Sequence, residues 1–115
     1  MYKELVLFRN ELKNKQVYKY KLIGITSELL FSKDIFPKNS DISSFLADVF
    51  NLEFKNYIMK SRTMIVAKVS KEIATTEDDS IYIRPLYIFI ESQIEQLQKE
   101  KTFKNAFSSL DKWVK

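Results

Sequence analysis

Three groups of residues in this 115-residue chain have types and spacings that could do chemistry. The first is Arg62, in the run Lys60-Ser61-Arg62-Thr63. A guanidinium stays protonated and carries five donors, so wherever a fold covers it, it must be given acceptors. The second is a pair of lysine-rich blocks, Lys13, Lys15, Lys19 and Lys21 in one and Lys60, Lys68 and Lys71 in the other. With Tyr18 and Tyr20 interleaved, such lysines suit phosphate contact and base stacking. The third is the acidic run Glu77-Asp78-Asp79, which offers the oxygen ligands that calcium and magnesium take. It lacks the alternating ligand spacing and central glycine of a calcium loop, and acids just ahead of a helix are explained by the positive end of its dipole. No metal site is expected.

Other chemistry is excluded by what is missing. The chain has no cysteine and no histidine, so Ser-His and Cys-His pairs cannot form and zinc has lost its usual ligands. A single glycine leaves no phosphate-cradling loop. Glu91 and Glu95 stand one helical turn apart and read as a solvated flank, not as an acid and base. The expectation is a non-enzyme with no cofactor and no small-molecule substrate.

The elements that must position these groups are helices. Gly24, Pro37 and Pro85 are the only glycine and prolines, too few for the tight turns of a sandwich or barrel. At about 100° per residue, Phe54, Ile58, Met59, Ile65, Val66, Val69 and Ile73 fall in one arc opposite Lys60, Lys68 and Lys71. That spacing predicts a long central helix over about 54–74, with Arg62 near the middle of its apolar arc. The structural expectation for Arg62 is an internal ion pair with a carboxylate such as Asp48 or Glu91, helped by helix-end carbonyls. The functional alternative is an open arc that binds an acidic group or a partner helix.

Around that helix, residues 2–32 read as helical from the stripe Leu5, Phe8, Leu12, with a bend at Gly24 or a junction near Gln16. Tyr18, Tyr20 and Leu22 also alternate as a strand would, but the only other strand-like stretch is Ile81, Ile83 and the apolar run after Pro85, and no Asn-Gly or Asp-Gly turn supports a hairpin. Residues 33–39 form a loop around Pro37, with Ile35 and Phe36 tucked beneath it. Ser40 or Asp41 then caps a short helix whose face is Ile42, Phe45, Leu46, Val49 and Phe50. A further helix places Ile83, Leu86, Tyr87, Ile90, Ile94 and Leu97 on one face. Ile88 and Phe89 fall off that face and, with Trp113, make a candidate apolar interface. After a break at 98–101, Thr102 caps a last helix through Phe103, Ala106, Phe107, Leu110 and Val114. The whole reads as one all-α domain, residues 1–115, a bundle of four to five helices.

Charge is laid out in blocks within a net +4. Six bases face two acids in residues 1–21, five bases and no acid fall in 55–71, and one base faces six acids in 72–98. The absence of cysteine fits a reducing cytoplasm, and no apolar run exceeds short pieces such as Leu5–Phe8 and Leu86–Ile90, so neither secretion nor a membrane span is expected. Abundant Lys, Asn, Ile and Phe suggest an AT-rich bacterium or its phage. Three functions stay open. The first is a protein that acts by protein–protein interaction as a regulator or inhibitor, with a partner or as a homodimer. The second is weak nucleic-acid binding through the lysine blocks. As to the third, in size, basic charge, helical pattern and lack of Cys and His the chain resembles the cytoplasmic immunity proteins that protect producers of small bacteriocins, which are four-helix bundles. The resemblance is one of class, and no residue roles come with it.

Overall fold

The computed structural model describes the backbone of residues 1–114 and the side chains of residues 1–102. Six α-helices follow one another: α1 (Tyr2–Leu12), α2 (Lys19–Phe31), α3 (Ile42–Phe45), α4 (Asn56–Met59), α5 (Arg62–Thr75) and α6 (Ile83–Val114). A 3-10 turn, Asn39–Asp41, leads into α3, a π turn, Leu46–Phe50, continues it, and a second 3-10 turn, Asp79–Tyr82, leads into α6. No strand occurs among the described residues, so the all-α reading holds and the strand alternative at Tyr18–Leu22 falls.

α2 and α5 lie antiparallel, and each is held at its far end by the other. Lys19, the first residue of α2, donates from Nζ to the carbonyls of Ala74 (3.1 Å) and Thr76 (2.6 Å) at the end of α5. Arg62, the first residue of α5, answers at the opposite end. Its Nη1 donates to the Leu30 carbonyl in the last turn of α2 (2.7 Å), its Nη2 to the Phe36 carbonyl (2.8 Å) and its Nε to Asn39 Oδ1 (2.8 Å). A cation in a first turn opposes its own helix dipole. Here each one sits at the negative end of the neighbouring helix, where the last carbonyls have no intrahelical partner.

Asn39 completes the junction and explains the first departure from the sequence reading. Its Nδ2 donates to the Met59 carbonyl (2.9 Å), an acceptor that a helix continuing past Lys60 would have given to the Thr63 amide. Ser61 then caps α5, its hydroxyl accepting the Met64 amide at 3.2 Å. The helix expected over 54–74 is therefore split at Lys60–Ser61 into α4 and α5. The expected carboxylate partner of Arg62 is also corrected. Asp48 is exposed, and Glu91 instead faces Arg9 at 3.6 Å. Backbone carbonyls and one amide meet the guanidinium's needs, among them the helix-end carbonyl of Leu30.

α1 packs along α6, also antiparallel. Gln98 donates to the Tyr2 hydroxyl (3.1 Å), Arg9 pairs with Glu91 one step on, and Lys13 lies 6.0 Å above the centre of the Tyr87 ring. Between the two pairs runs one continuous core that includes Leu5, Leu12, Leu22, Leu29, Leu30, Ile65, Val69, Leu86 and Ile90. The expected apolar face Ile42, Phe45, Leu46, Val49 and Phe50 is buried in it throughout. An aromatic cluster closes this end: Phe45 and Phe89 stand with ring centres 4.6 Å apart, Phe36 and Phe89 5.7 Å apart, and Phe50 and Tyr82 4.9 Å apart. Phe36 is thus the anchor under the 33–39 loop, as its sequence position predicts.

Of the two expectations for residues 2–32, the junction near Gln16 holds and the bend at Gly24 does not: α1 and α2 are separate helices joined through residues 13–18, and α2 runs through Gly24 unbroken. At the other end of the chain there is no break at 98–101. Gln, Lys and Glu are good helix formers, and the Thr102 hydroxyl donates back to the Gln98 carbonyl (3.0 Å), as threonine does inside a helix and not at its start. The longest helix is consequently the C-terminal one, of 32 residues.

Replacing Arg62 with Met removes three charge-assisted hydrogen bonds and strands their acceptors. We expect the unfolding free energy at neutral pH to fall by about 2–4 kcal/mol in urea titration, and Lys19→Met to cost about 1 kcal/mol. An Arg62→Met loss below about 0.5 kcal/mol would contradict the clamp.

A candidate protein-interaction furrow between the first two helices

Because α1 leans on α6 and α2 on α5, the face between α1 and α2 stays open. A furrow runs along it. Toward the start of α2, a hollow of about 380 Å³ is lined by Leu7, Phe8, Tyr20, Gly24 and Ile25, among others. Toward the end of α2, a second of about 440 Å³ is lined by Met1, Glu4, Ser27, Phe31 and Asp34, among others. Glu28 lines both, so the two hollows are neighbours along α2. From Tyr20 to Phe31 the furrow follows α2 for about 16 Å, some three helical turns.

Its walls are apolar and its rim acidic. Leu7 is 61% exposed, Tyr20 68% and Phe31 51%, large side chains that a folded monomer gains nothing by holding in water. Four carboxylates, Glu4, Glu11, Glu28 and Asp34, line the furrow against two cations, Lys21 and the Met1 ammonium. Both cations are paired, Lys21 with Glu11 at 3.0 Å and the ammonium with Glu4 at 3.3 Å. The hydrogen bond to its own backbone, and then the ammonium beside it, hold the Glu4 carboxyl below the usual carboxylate range, so it is ionised at neutral pH. The furrow is a negative strip on a chain whose net charge is +4.

Gly24 faces this strip from the middle of α2. It has no positive φ that would require glycine, and a Cβ built on it meets nothing within 4 Å. Among the described residues, nothing accounts for a residue that weakens a helix interior.

The sequence-predicted site residues are dispersed. Of the lysines, Lys19 is bound to helix-end carbonyls, Lys21 to Glu11, and Lys13 covers Tyr87. Lys15, Lys60, Lys68 and Lys71 are exposed, with Lys15 in the connection between α1 and α2, Lys60 at the end of α4, and Lys68 and Lys71 on α5. The expected surface is thus spread over three segments. Tyr18 and Tyr20 stack with ring centres 5.7 Å apart at the start of α2. Of the apolar candidates, Ile88 is exposed, whereas Phe89 is half-buried and packs into the aromatic cluster. Trp113 lies outside the residues whose side chains are described. In the acidic run, Asp78 accepts the Ser80 amide ahead of α6, and among the described residues no group of three or more acidic side chains is placed to hold a metal.

Leu7 and Phe31 were not singled out by sequence, and Gly24 only as the place of a bend, though each left a trace. Leu7 points about 200° away from Leu5, off the stripe of α1; Phe31 is a large apolar residue at a helix end; Gly24 is a glycine without a bend.

A Gly24→Ala substitution should raise the unfolding free energy by about 0.5–1 kcal/mol, since alanine suits a helix interior and has room here. A destabilised variant in thermal or urea unfolding would show a packing role for the glycine within the monomer. Comparison with known proteins finds no matching family model, no matching curated protein and no matching solved structure.

Proposed function

We propose that this protein is a non-enzymatic helical interaction protein, a regulator, inhibitor or immunity-type protein that acts by offering the α1/α2 furrow to another protein. The observation that carries this reading is the pair of neighbouring hollows between α1 and α2, one walled by Leu7 and Tyr20 and the other by Phe31, which no other element covers among the described residues. Burying each such side chain is worth about 1.5–3 kcal/mol, which is the scale on which a few residues dominate an interface. The compartment we assign is the cytoplasm, in keeping with a fold held by packing and carbonyl clamps. Among the described residues, no helix is long and apolar enough to cross a membrane.

A second reading is favoured by one observation, the exposed Tyr18–Tyr20 stack with Lys15 close by in sequence, which suits an unpaired nucleic-acid strand. It is the weaker reading because three lysines of the expected basic surface already serve the fold.

The two separate in one experiment. A photo-crosslinking residue is placed at Leu7, or at Lys68 as control, in cells that produce the protein. The interaction reading predicts a discrete protein adduct from position 7 that is lost with Phe31→Asp and absent from position 68. Equal adducts at both positions, or none at Leu7 together with a salt-sensitive shift on a single-stranded oligonucleotide, would contradict it.

A further inference from the structure

We infer that the furrow receives one amphipathic helix of another protein, with Lys or Arg along both flanks of its apolar stripe, and that this helix makes its closest approach at Gly24. The inference rests on the interaction reading above and adds the chemistry of the partner.

Shape argues for a helix. The two hollows follow each other along about three turns of α2, between two antiparallel helices, and a third helix lies along such a seam through anchors at i, i+3 or i+4, and i+7. Leu7 and Phe8 wall one side, Tyr20, Ile25 and Phe31 the other.

Charge argues for basic flanks. Glu28 lines both hollows, Asp34 stands at one end, and Glu4 and Glu11 lie along the α1 side. The two cations that line the strip are paired with Glu4 and Glu11, so its excess negative charge rests on Glu28 and Asp34, both exposed. Lys60, Lys68 and Lys71 do not line the furrow. A basic helix is therefore attracted to this strip, above all at Glu28 and Asp34.

Gly24 argues for close approach, independently of charge. The missing side chain serves neither the backbone conformation nor packing within the chain. It leaves a bare stretch of helix at the middle of the seam, where a second helix can come nearer than any other residue would allow.

The test uses the full chain, labelled with 15N, and three synthetic helical peptides of about 18 residues. One has a leucine stripe flanked by lysine, one the same stripe flanked by glutamate, and one lysine flanks with the stripe broken by serine. The lysine-flanked peptide is expected to shift the amides of Leu7, Gly24 and Phe31. Its affinity should fall about tenfold with Glu28→Lys and be lost with Gly24→Leu. Gly24→Ala should weaken binding several-fold although it leaves the chain better folded, a split that a purely structural glycine would not produce.

If the glutamate-flanked peptide binds the furrow as well or better, the furrow stands as an interface and the basic partner is overturned. If Gly24→Ala leaves the affinity unchanged, the close approach is overturned. If the same amides shift with protein concentration alone, a second copy of the chain is the occupant and the inference fails. If no peptide touches the furrow, the inference fails, while the interaction reading is still decided by the cross-linking at Leu7.

Discussion

A cation at the wrong end of its own helix and the right end of its neighbour's is the arrangement on which this fold depends. Lys19 and Arg62 open α2 and α5, positions where a positive charge is unfavourable to the helix that carries it. The antiparallel pairing turns both into caps, each binding the other helix's last carbonyls. The two residues differ in what they can reach. Lysine is a point charge on a flexible stem and takes two neighbouring carbonyls. Arginine's planar fork takes three acceptors from three separate segments, α2, the loop after it and Asn39. Arg62 therefore ties together the stretch from Leu30 to Asn39 as well as a helix pair, and Asn39 passes that tie on to α4 through the Met59 carbonyl.

The furrow follows from that pairing. With α2 clamped at both ends to α5 and α1 laid along α6, the face between them is left open, and among the described residues the Glu11–Lys21 ion pair bridges its rims. Three of the seven lysines of the expected basic surface, Lys13, Lys19 and Lys21, are engaged in holding the fold, while Leu7, Tyr20 and Phe31 and the carboxylates Glu28 and Asp34 between α1 and α2 are left exposed. Carboxylates thus outnumber cations along the furrow on a chain whose net charge is +4.

How much of this could be read from sequence depended on the kind of interaction. The apolar stripes of Ile42 to Phe50 and of Ile83 to Leu97 were legible because burial repeats with the helical period. Phe36 was legible because Pro37 marks its loop. The acceptors of Arg62 were not, since a backbone carbonyl looks the same at every position, whereas a carboxylate such as Asp48 stands out; the reading was drawn to the visible partner. The break at Lys60–Ser61 was hidden for a related reason. Ser61 is a plausible cap, but the apolar period runs on through it, and what decides for the break is Asn39, about twenty residues away. The opposite error at 98–101 came from taking polarity for a loop, where helix propensity ruled. The furrow itself was illegible because stripes say that a helix packs, not against which neighbour, and the open face is what pairing leaves behind.

The central claim is that carbonyls and an amide, not a carboxylate, hold Arg62. The most direct measurement is the difference in unfolding free energy between the wild type and Arg62→Met, followed from about pH 7 to about pH 3. Carbonyl and amide acceptors do not titrate, so the account predicts a difference that stays constant across this range even as both proteins lose stability. A carboxylate partner would have its pKa lowered in the folded state, so its contribution would be present above the unfolded value and lost as the pH falls through the folded one. A difference that collapses below about pH 4 would contradict the account and return Arg62 to an ion pair.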